Sequence, residues 1–350
     1  MSDLVFITGG SGHIGCRVII SALQAGYSVR AAVRSSSKAT LILATPSIQA
    51  LNPESKLTFV IVPDLLVDGA YDDAIKGAAY AIHVASPLAT PLEEGENYHT
   101  KLIQPAVKGT VNMLEAAKKY GGVKRVVITS SVGGIAFWKD LHEWPAETVV
   151  TEKTRAKNIP EPYTMDVEAY SAGKIAALNE TEAWMKREKG NISFDVVNIF
   201  PSFVLGRDEL ATSPTEALKG TNLLVLGPVL GEKVDLPLVG SSVDVRDVAL
   251  AHVKALDPKV PGNQGYLLTA GGLEGRPLED VFEIVARNFP DAVKAGVLPN
   301  NGRIASKPRK FDAAASEKAL GMKYIDFEEQ VKDVIGHYIE LVAAAKKNSA

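Results

Sequence analysis

A chain of 350 residues, 46 % apolar and 23 % charged, has room for a nucleotide-binding domain and a smaller second lobe, and its composition excludes a largely disordered protein. A formal charge of −3 and the lack of basic blocks interleaved with aromatics exclude the electrostatic footprint of a nucleic-acid binder; a small polar ligand is the expected partner. The single cysteine, Cys16, excludes an internal disulfide and a cysteine-based zinc site, and no uninterrupted apolar stretch reaches the ~18 residues of a membrane span, so a cytoplasmic protein away from the membrane is expected.

The chain opens on Leu4-Val5-Phe6-Ile7, a run of β-formers leading through Thr8 and Gly9-Gly10-Ser11-Gly12-His13-Ile14-Gly15 into 16–23, whose apolar spacing predicts a helix. Gly9, Gly12 and Gly15 stand three apart at this strand–helix turn. The first can take a turn conformation closed to other residues, the second lets a diphosphate approach the backbone, and the third allows close helix–strand packing. The diphosphate would rest on the free N–H groups of the helix N-terminus. Cys16, on the first turn of that helix, reads as a packed small hydrophobe.

Residues 28–33 predict a second strand, and Arg34 and Lys38 follow it, as a solvated basic loop or, the favoured reading at this point of the fold, as a phosphate site. An acidic side chain at this point accepts from the ribose of NAD, whereas a cation favours the 2′-phosphate of NADP. Residues 57–62 and 80–85 predict buried parallel strands, with a short helix over 71–76 between them. Asp64 stands within reach of an adenine amino group, His83 reads as a core histidine, and Ala85-Ser86-Pro87 ends its strand at the carboxyl edge of the sheet. A long helix fits 97–119, with Pro105 requiring a kink or a start near Gln104. The fifth strand, 125–129, delivers Ser130 and Ser131 to the same edge.

Periodicity fails from 132 to 165, and the aromatics in this long connection, Trp138 and Trp144 among them, predict a wall of a substrate cleft. Asp166 reads as the N-cap of a helix of about six turns that carries Tyr170 and Lys174. A sixth strand follows over 194–199. Residues 1–200 then form a dinucleotide-binding domain, rejoined by a return segment at about 241–270 that holds a helix over 243–256 and a strand over 266–269. Residues 201–240 and 271–345 form the substrate-binding lobe, the latter with two helices, and 346–350 are expected to fray. The predicted class is α/β: a Rossmann doubly wound parallel sheet with a smaller C-terminal lobe.

Tyr170 and Lys174 lie four apart, on one helix face. A phenol with a pKa near ~10 is a poor proton donor or acceptor at neutral pH, and a neighbouring cation moves it toward the working range. A serine hydroxyl at the end of strand five could join the phenol in stabilising charge on a carbonyl oxygen; the residues alone permit Ser130 or Ser131. The six histidines show no metal-ligand spacing, and no GxSxG elbow is present.

Taken together, Thr8 to Gly15, Arg34 and Lys38, His83 to Pro87, Thr129 to Ser131, Tyr170 to Lys174, Phe200 to Gly206 and Val243 to Val248 resemble the pattern of the extended short-chain dehydrogenase/reductase superfamily. Within it the chain is similar to the branch of dihydroflavonol reductases, cinnamoyl-CoA reductases and fungal aldehyde, ketone and methylglyoxal reductases. The resemblance covers Leu4 to about Ile339. It implies that Ser131 is the catalytic serine, that Tyr170 donates the proton, and that Lys174 holds the nicotinamide ribose and lowers the tyrosine pKa. The implied NADPH/NADP contacts are Thr8, Gly9, Gly12, His13, Ile14, Gly15, Arg34, Lys38, Asp64, Leu65, Ala85, Ser86, Pro87, Tyr170, Lys174, Pro201, Ser202 and Val204. Two positions depart from the pattern: Phe200 stands where Asn is usual, which puts a polar contact at the nicotinamide in doubt, and His13 stands where Phe or Tyr is commoner. Asp244 and Asp247 read as structural, binding the lobes together.

These readings predict an NADPH-dependent carbonyl reductase acting on an aldehyde or ketone, as a monomer or homodimer. The alternatives are an NAD-dependent sugar-nucleotide epimerase or dehydratase, and a non-catalytic cofactor-sensing regulator of the same fold.

Overall fold

The computed structural model describes residues 2–53 and 55–349. Seven strands make the central sheet: β1 Leu4–Thr8, β2 Ser28–Val33, β3 Leu57–Ile61, β4 Tyr80–His83, β5 Arg125–Thr129, β6 Asp195–Pro201 and β7 Gln264–Leu268. All neighbours are parallel and the order is β7-β6-β5-β4-β1-β2-β3. The order reverses between β1 and β4, where Thr8 lies opposite His83. In an open α/β sheet this reversal leaves a crevice at the carboxyl ends of the strands, which is where ligands bind.

The main helices are α1 His13–Gln24, α2 Ser36–Leu43, α3 Gln104–Tyr120, α4 Asp166–Arg187, α5 Val245–Lys254, α6 Val281–Asn288 and α7 Phe327–Ser349. β1 shows why the sheet is covered on both faces. Val5 and Ile7 pack with Ile19 of α1 and Val248 of α5 on one side, while Phe6 packs with Met113 and Leu114 of α3 on the other. Each such side chain, fully buried, contributes about 1.5–3 kcal/mol. A separate core gathers Leu205, Leu226 and Val229 with Val281 and Ile284 of α6 and Val331 and Ile335 of α7. Among the described residues no helix is long and apolar enough to cross a membrane.

Several local expectations are corrected. The supposed helix over 71–76 is a series of turns between Gly69 (φ 75°) and Gly77 (φ 76°), with Tyr71 buried edge-on against Phe6. Two left-handed glycines so close together leave no length for a helix. The basic loop after β2 is instead the start of α2, whose only buried residue is Ile42 and whose periodicity is therefore faint. The start near Gln104 expected for Pro105 is observed, while residues 97–103 are shortened from the long helix: α3 begins at Gln104 after a wider π-type turn over His99–Ile103, so Pro105 sits in the first turn, where no backbone N–H is needed. Met165, rather than Asp166, is the N-cap of α4; Asp166 is its first helical residue. The connection 132–165 contains short helices Val132–Ile135 and Trp138–Glu143 and a strand, Val149–Thr151, paired with Lys310–Asp312. Residues 271–345 hold more than two helices, because Pro290–Lys294 and Ala314–Leu320 stand beside α6 and α7. α7 continues through Ser349, and Ala350 lies outside the described residues.

Candidate active site

The glycine turn joins β1 to α1. Gly9 has φ 74°, and a Cβ on it would lie 2.6 Å from the Ala85 nitrogen, so the turn is closed to any side chain by both conformation and space. A Cβ on Gly15 would lie 2.0 Å from the Gly9 carbonyl oxygen, whereas one on Gly12 would meet nothing nearer than that oxygen at 3.6 Å. The outer glycines are therefore spent on packing, and the middle one faces open space. Gly12 also starts α1 without a capping side chain, leaving the first-turn N–H groups of His13 and Ile14 for an outside acceptor. This cradle fits the diphosphate of a dinucleotide.

Thr8 hydrogen-bonds His83 Nδ1 at 2.9 Å and accepts from the Ala85 N–H at 3.3 Å, which ties the ends of β1 and β4 on either side of the crevice. Burial holds His83 neutral, its pKa pushed down to about 3. Ala85, Ser86 and Pro87 follow at the crevice edge, each partly exposed.

Arg34 is exposed directly after β2, and no hydrogen bond or ion pair within the described residues engages its side chain. Lys38 lies one turn on, in α2, whose N-terminus starts at Ser35 without a side-chain cap. Two cations at an uncapped helix start form a site suited to a phosphate. Asp64 accepts from the Leu66 N–H at 2.8 Å. The loop that follows is held by Asn112 of α3, which donates to the Leu65 and Val67 carbonyls at 2.8 and 3.0 Å. Asn112 escaped the sequence reading; an Asn on the apolar face of a predicted helix was the signal.

β5 and α4 supply the polar cluster. Ser131 caps the helix Val132–Ile135, accepting from the Gly133 N–H at 3.1 Å, and its hydroxyl acts on the Tyr170 phenol, favouring the phenolate. Ser130 is buried and lies against Gly134, where a Cβ would come within 2.7 Å of its Oγ. Ser131 rather than Ser130 is the serine that acts on the phenol. Lys174 is buried, donates to the Thr129 carbonyl at 3.1 Å and lies 5.8 Å from the centroid of the Tyr170 ring. Desolvation pushes its pKa down to about 8. Burial raises the Tyr170 phenol above its usual range, and the Ser131 hydroxyl opposes the rise.

Ser171, the next residue on α4, donates to the Gly133 carbonyl at 2.7 Å and accepts from the Trp138 N–H at 3.1 Å. It thereby holds the aromatic connection beside Tyr170. His142 packs against Trp138 with centroids 4.2 Å apart and ring planes tilted by 39°, and approaches the Pro237 carbonyl at 3.1 Å, which links this wall to the segment before Leu238.

Pro201 ends β6, and Ser202 has an Oγ that is buried with no partner among the described residues; the Val204 side chain is buried in the core and its carbonyl accepts from the Thr221 hydroxyl. Phe200 is fully buried against Gly265, where a Cβ would fall 2.0 Å from the ring, so at this position packing has replaced a polar group. His13 carries a buried, unpartnered Nε2. Cys16 is fully buried with its thiol pushed up to about 12, and carries no chemistry. Asp244 caps α5 and pairs with Arg246 at 2.7 Å, while Asp247 accepts from the Ile325 N–H at 2.7 Å.

A doubly wound sheet with this turn at its switch point and a Ser–Tyr–Lys cluster beside it defines a dinucleotide-binding oxidoreductase fold. The model of the NAD dependent epimerase/dehydratase family matches residues 5–268. Ketoreductase CTB6 of Cercospora nicotianae is 40 % identical over 349 residues, covering 97 % of this chain and 96 % of the relative. The NAD-dependent epimerase/dehydratase ALT6 of Alternaria alternata is 38 % identical over 347 residues, covering 94 % and 96 %. Among solved structures, Gre2 of Candida albicans in complex with NADPH superposes with a TM-score of 0.78 at 26 % identity, covering 97 % of this chain and 99 % of that one. The chain belongs to the NAD dependent epimerase/dehydratase family, the extended branch of the short-chain dehydrogenases/reductases.

Proposed function

We propose that the protein is an NADPH-dependent carbonyl reductase in which Tyr170 gives the proton that completes the alcohol. One observation carries this reading: the Lys174 ammonium, held by the Thr129 carbonyl, lies 5.8 Å from the centroid of the Tyr170 ring, and the Ser131 hydroxyl acts on the Tyr170 phenol, at the carboxyl edge of the sheet beside the glycine turn. A ketoreductase relative and an NADPH-bound neighbour support it.

The reduced nicotinamide, when bound, supplies a hydride to the carbonyl carbon. The chain's own residues do the rest. Ser131 and Tyr170 present two hydroxyl donors to one carbonyl oxygen and stabilise the negative charge that develops on it. Burial keeps the phenol protonated, the state a proton donor requires in reduction. As Tyr170 gives up its proton, the nearby ammonium stabilises the phenolate. Gly12 and the start of α1 hold the diphosphate, Arg34 and Lys38 the 2′-phosphate, and Asp64 with Leu65 borders the adenine. Pro201, Ser202 and the Val204 backbone border the nicotinamide. Residues 201–240 and 271–345 act as the substrate lobe, opposite the Trp138–His142 wall.

The second reading, an epimerase or dehydratase that keeps NAD bound, is favoured by the family description and the ALT6 relative. Arg34 argues against it, because a guanidinium after β2 gives no advantage to a plain ribose hydroxyl. A panel of aldehydes and ketones with NADPH, followed at the reduced-nicotinamide band, separates the two. A reductase consumes cofactor in step with substrate; an epimerase gives no net change, and such a result across the panel overturns the proposal.

A further inference from the structure

Beneath Lys174 the described residues line a small, partly open cavity of mixed polarity with room for about one water molecule. Its polar lining comes from Lys174 of α4, Thr129 and Ser130 at the end of β5, His83 of β4 and Asn198 of β6. Two of these groups have complementary needs. The ammonium has three donors and makes one hydrogen bond, to the Thr129 carbonyl at 3.1 Å. Asn198 is only 7 % exposed, and its Oδ1 is buried with no partner. A buried amide oxygen without a partner forfeits the hydrogen bond it makes in water, so an Asn in the middle of an otherwise apolar strand requires a reason.

We propose that Asn198 is a positioning residue for Lys174: its side-chain amide, through one water molecule in this cavity, completes the hydrogen-bond shell of the ammonium and holds it behind Tyr170. The water accepts from Lys174 Nζ and donates to Asn198 Oδ1, so the acceptor-poor cation and the donor-poor amide are satisfied together. Its other proton is available to His83 or Ser130 on the cavity wall. Register places Asn198 opposite Ile128, on the sheet face covered by α3 and α4, and so on the side from which Lys174 enters. The neighbouring partners are already committed: the Thr110 hydroxyl donates to the Ala106 carbonyl at 2.9 Å, and His83 Nδ1 bonds Thr8. Asn198 is thus the lining side chain whose buried acceptor most needs the water.

The inference rests on the reading of Tyr170 and Lys174 given above. The titratable groups facing Lys174 are Tyr170 on its own helix and His83 on β4; α3 contributes Ala106 and Thr110, and β5 contributes Thr129 and Ser130. His252 stands one hydrogen bond further away, behind the Thr129 hydroxyl. None carries a negative charge near neutral pH, so the ammonium depends on dipoles for its stabilisation.

The test combines a high-resolution crystal structure of the wild-type protein with pH profiles of kcat/KM for wild type, Asn198→Leu, Asn198→Asp and Asn198→Ser on the best substrate of the carbonyl panel. The wild type is expected to show an ordered water within hydrogen-bond distance of both Lys174 Nζ and Asn198. Asn198→Leu removes it, lowers kcat by up to roughly a hundredfold through a misplaced ammonium, and moves the alkaline limb to lower pH. Asn198→Asp moves that limb the other way, by about one pH unit or more, because a carboxylate favours the charged amine. Asn198→Ser, which keeps a hydroxyl at the wall, stays nearer the wild type than Leu does. If the Leu variant fails to fold, the alkaline shift of Asn198→Asp alone decides. An absent water, or a limb that stays put or moves the same way in the Leu and Asp variants, overturns the assignment. Tyr170→Phe distinguishes the two levels: if it keeps turnover the functional reading fails, and if it is inactive while the limb stays fixed only the role of Asn198 fails.

Discussion

Lys174 Nζ donates to the Thr129 carbonyl oxygen at 3.1 Å, so the helix that carries Tyr170 is tied to the strand that delivers Ser131. The same burial that fixes this ammonium brings its pKa down to about 8. Below that value the cation is present to support the phenol; above it the charge is lost. Activity is therefore expected to fall as pH rises through about 8, and Lys174→Met should lose both turnover and cofactor affinity. A profile of kcat/KM that stays flat well above pH 8 would contradict this role.

Arg34 offers a free guanidinium at the end of β2. A 2′-phosphate can take a bidentate charge-assisted contact from it, and losing such a contact costs about 1.5–3 kcal/mol. Arg34→Ala should weaken NADPH binding by roughly ten- to a hundredfold and NADH binding much less. Raised salt should mimic the loss in the wild type. Equal weakening of the two cofactors, in dissociation constants measured side by side, would remove the support for NADPH.

The glycines of the turn should separate fold from binding. Gly15→Ala forces a Cβ to within 2.0 Å of the Gly9 carbonyl oxygen, a backbone atom that cannot step aside, and is expected to lower stability by about 1–3 kcal/mol or more. Gly12→Ala meets nothing nearer than 3.6 Å and has φ −114°, so the cofactor-free melting temperature should hardly move. Its methyl group would nevertheless occupy the approach to the backbone, and NADPH affinity should drop at least tenfold. A Gly12→Ala protein that binds normally would place the diphosphate elsewhere.

Asp247 is buried, and desolvation raises its carboxyl from 3.8 to about 6 despite the hydrogen bond from Ile325. The folded state then binds more protons than the unfolded one between these values, so stability falls as pH rises from about 4 to about 6. Asn can accept from the same Ile325 N–H without a charge. Asp247→Asn should therefore be more stable than wild type at pH 7, by on the order of 1–3 kcal/mol, with the gain vanishing below about pH 4. Denaturant melts across this range check the sign; a variant less stable at pH 7 would mean that the carboxylate has a charged partner it needs.

Legibility in the sequence followed periodicity and local chemistry. β1 could be read because Val5, Phe6 and Ile7 are apolar on both faces, and the Tyr170–Lys174 pair because four residues make one helical turn. α2 could not, since it buries a single side chain, and the false helix at 71–76 arose because apolar spacing does not reveal a glycine at φ 75°. Ser130 and Ser131 are equivalent as letters; only the cap on Val132–Ile135 turns one toward Tyr170 and the other inward. Asn112 and Asn198 lay hidden because one polar residue does not disturb an apolar pattern, although its presence there is itself the clue.

The direct measurement is NADPH oxidation by wild type and Tyr170→Phe, with cofactor dissociation constants taken on the same preparations. The wild type should consume NADPH in step with an aldehyde or ketone. Tyr170→Phe keeps the ring and should bind NADPH as the wild type does, while turnover falls by roughly 10²–10⁴-fold, the usual contribution of a positioned proton donor. A wild type that oxidises no NADPH with any carbonyl offered, or a Tyr170→Phe protein that keeps most of the wild-type rate, would contradict the assignment of Tyr170 as the proton donor of a carbonyl reductase.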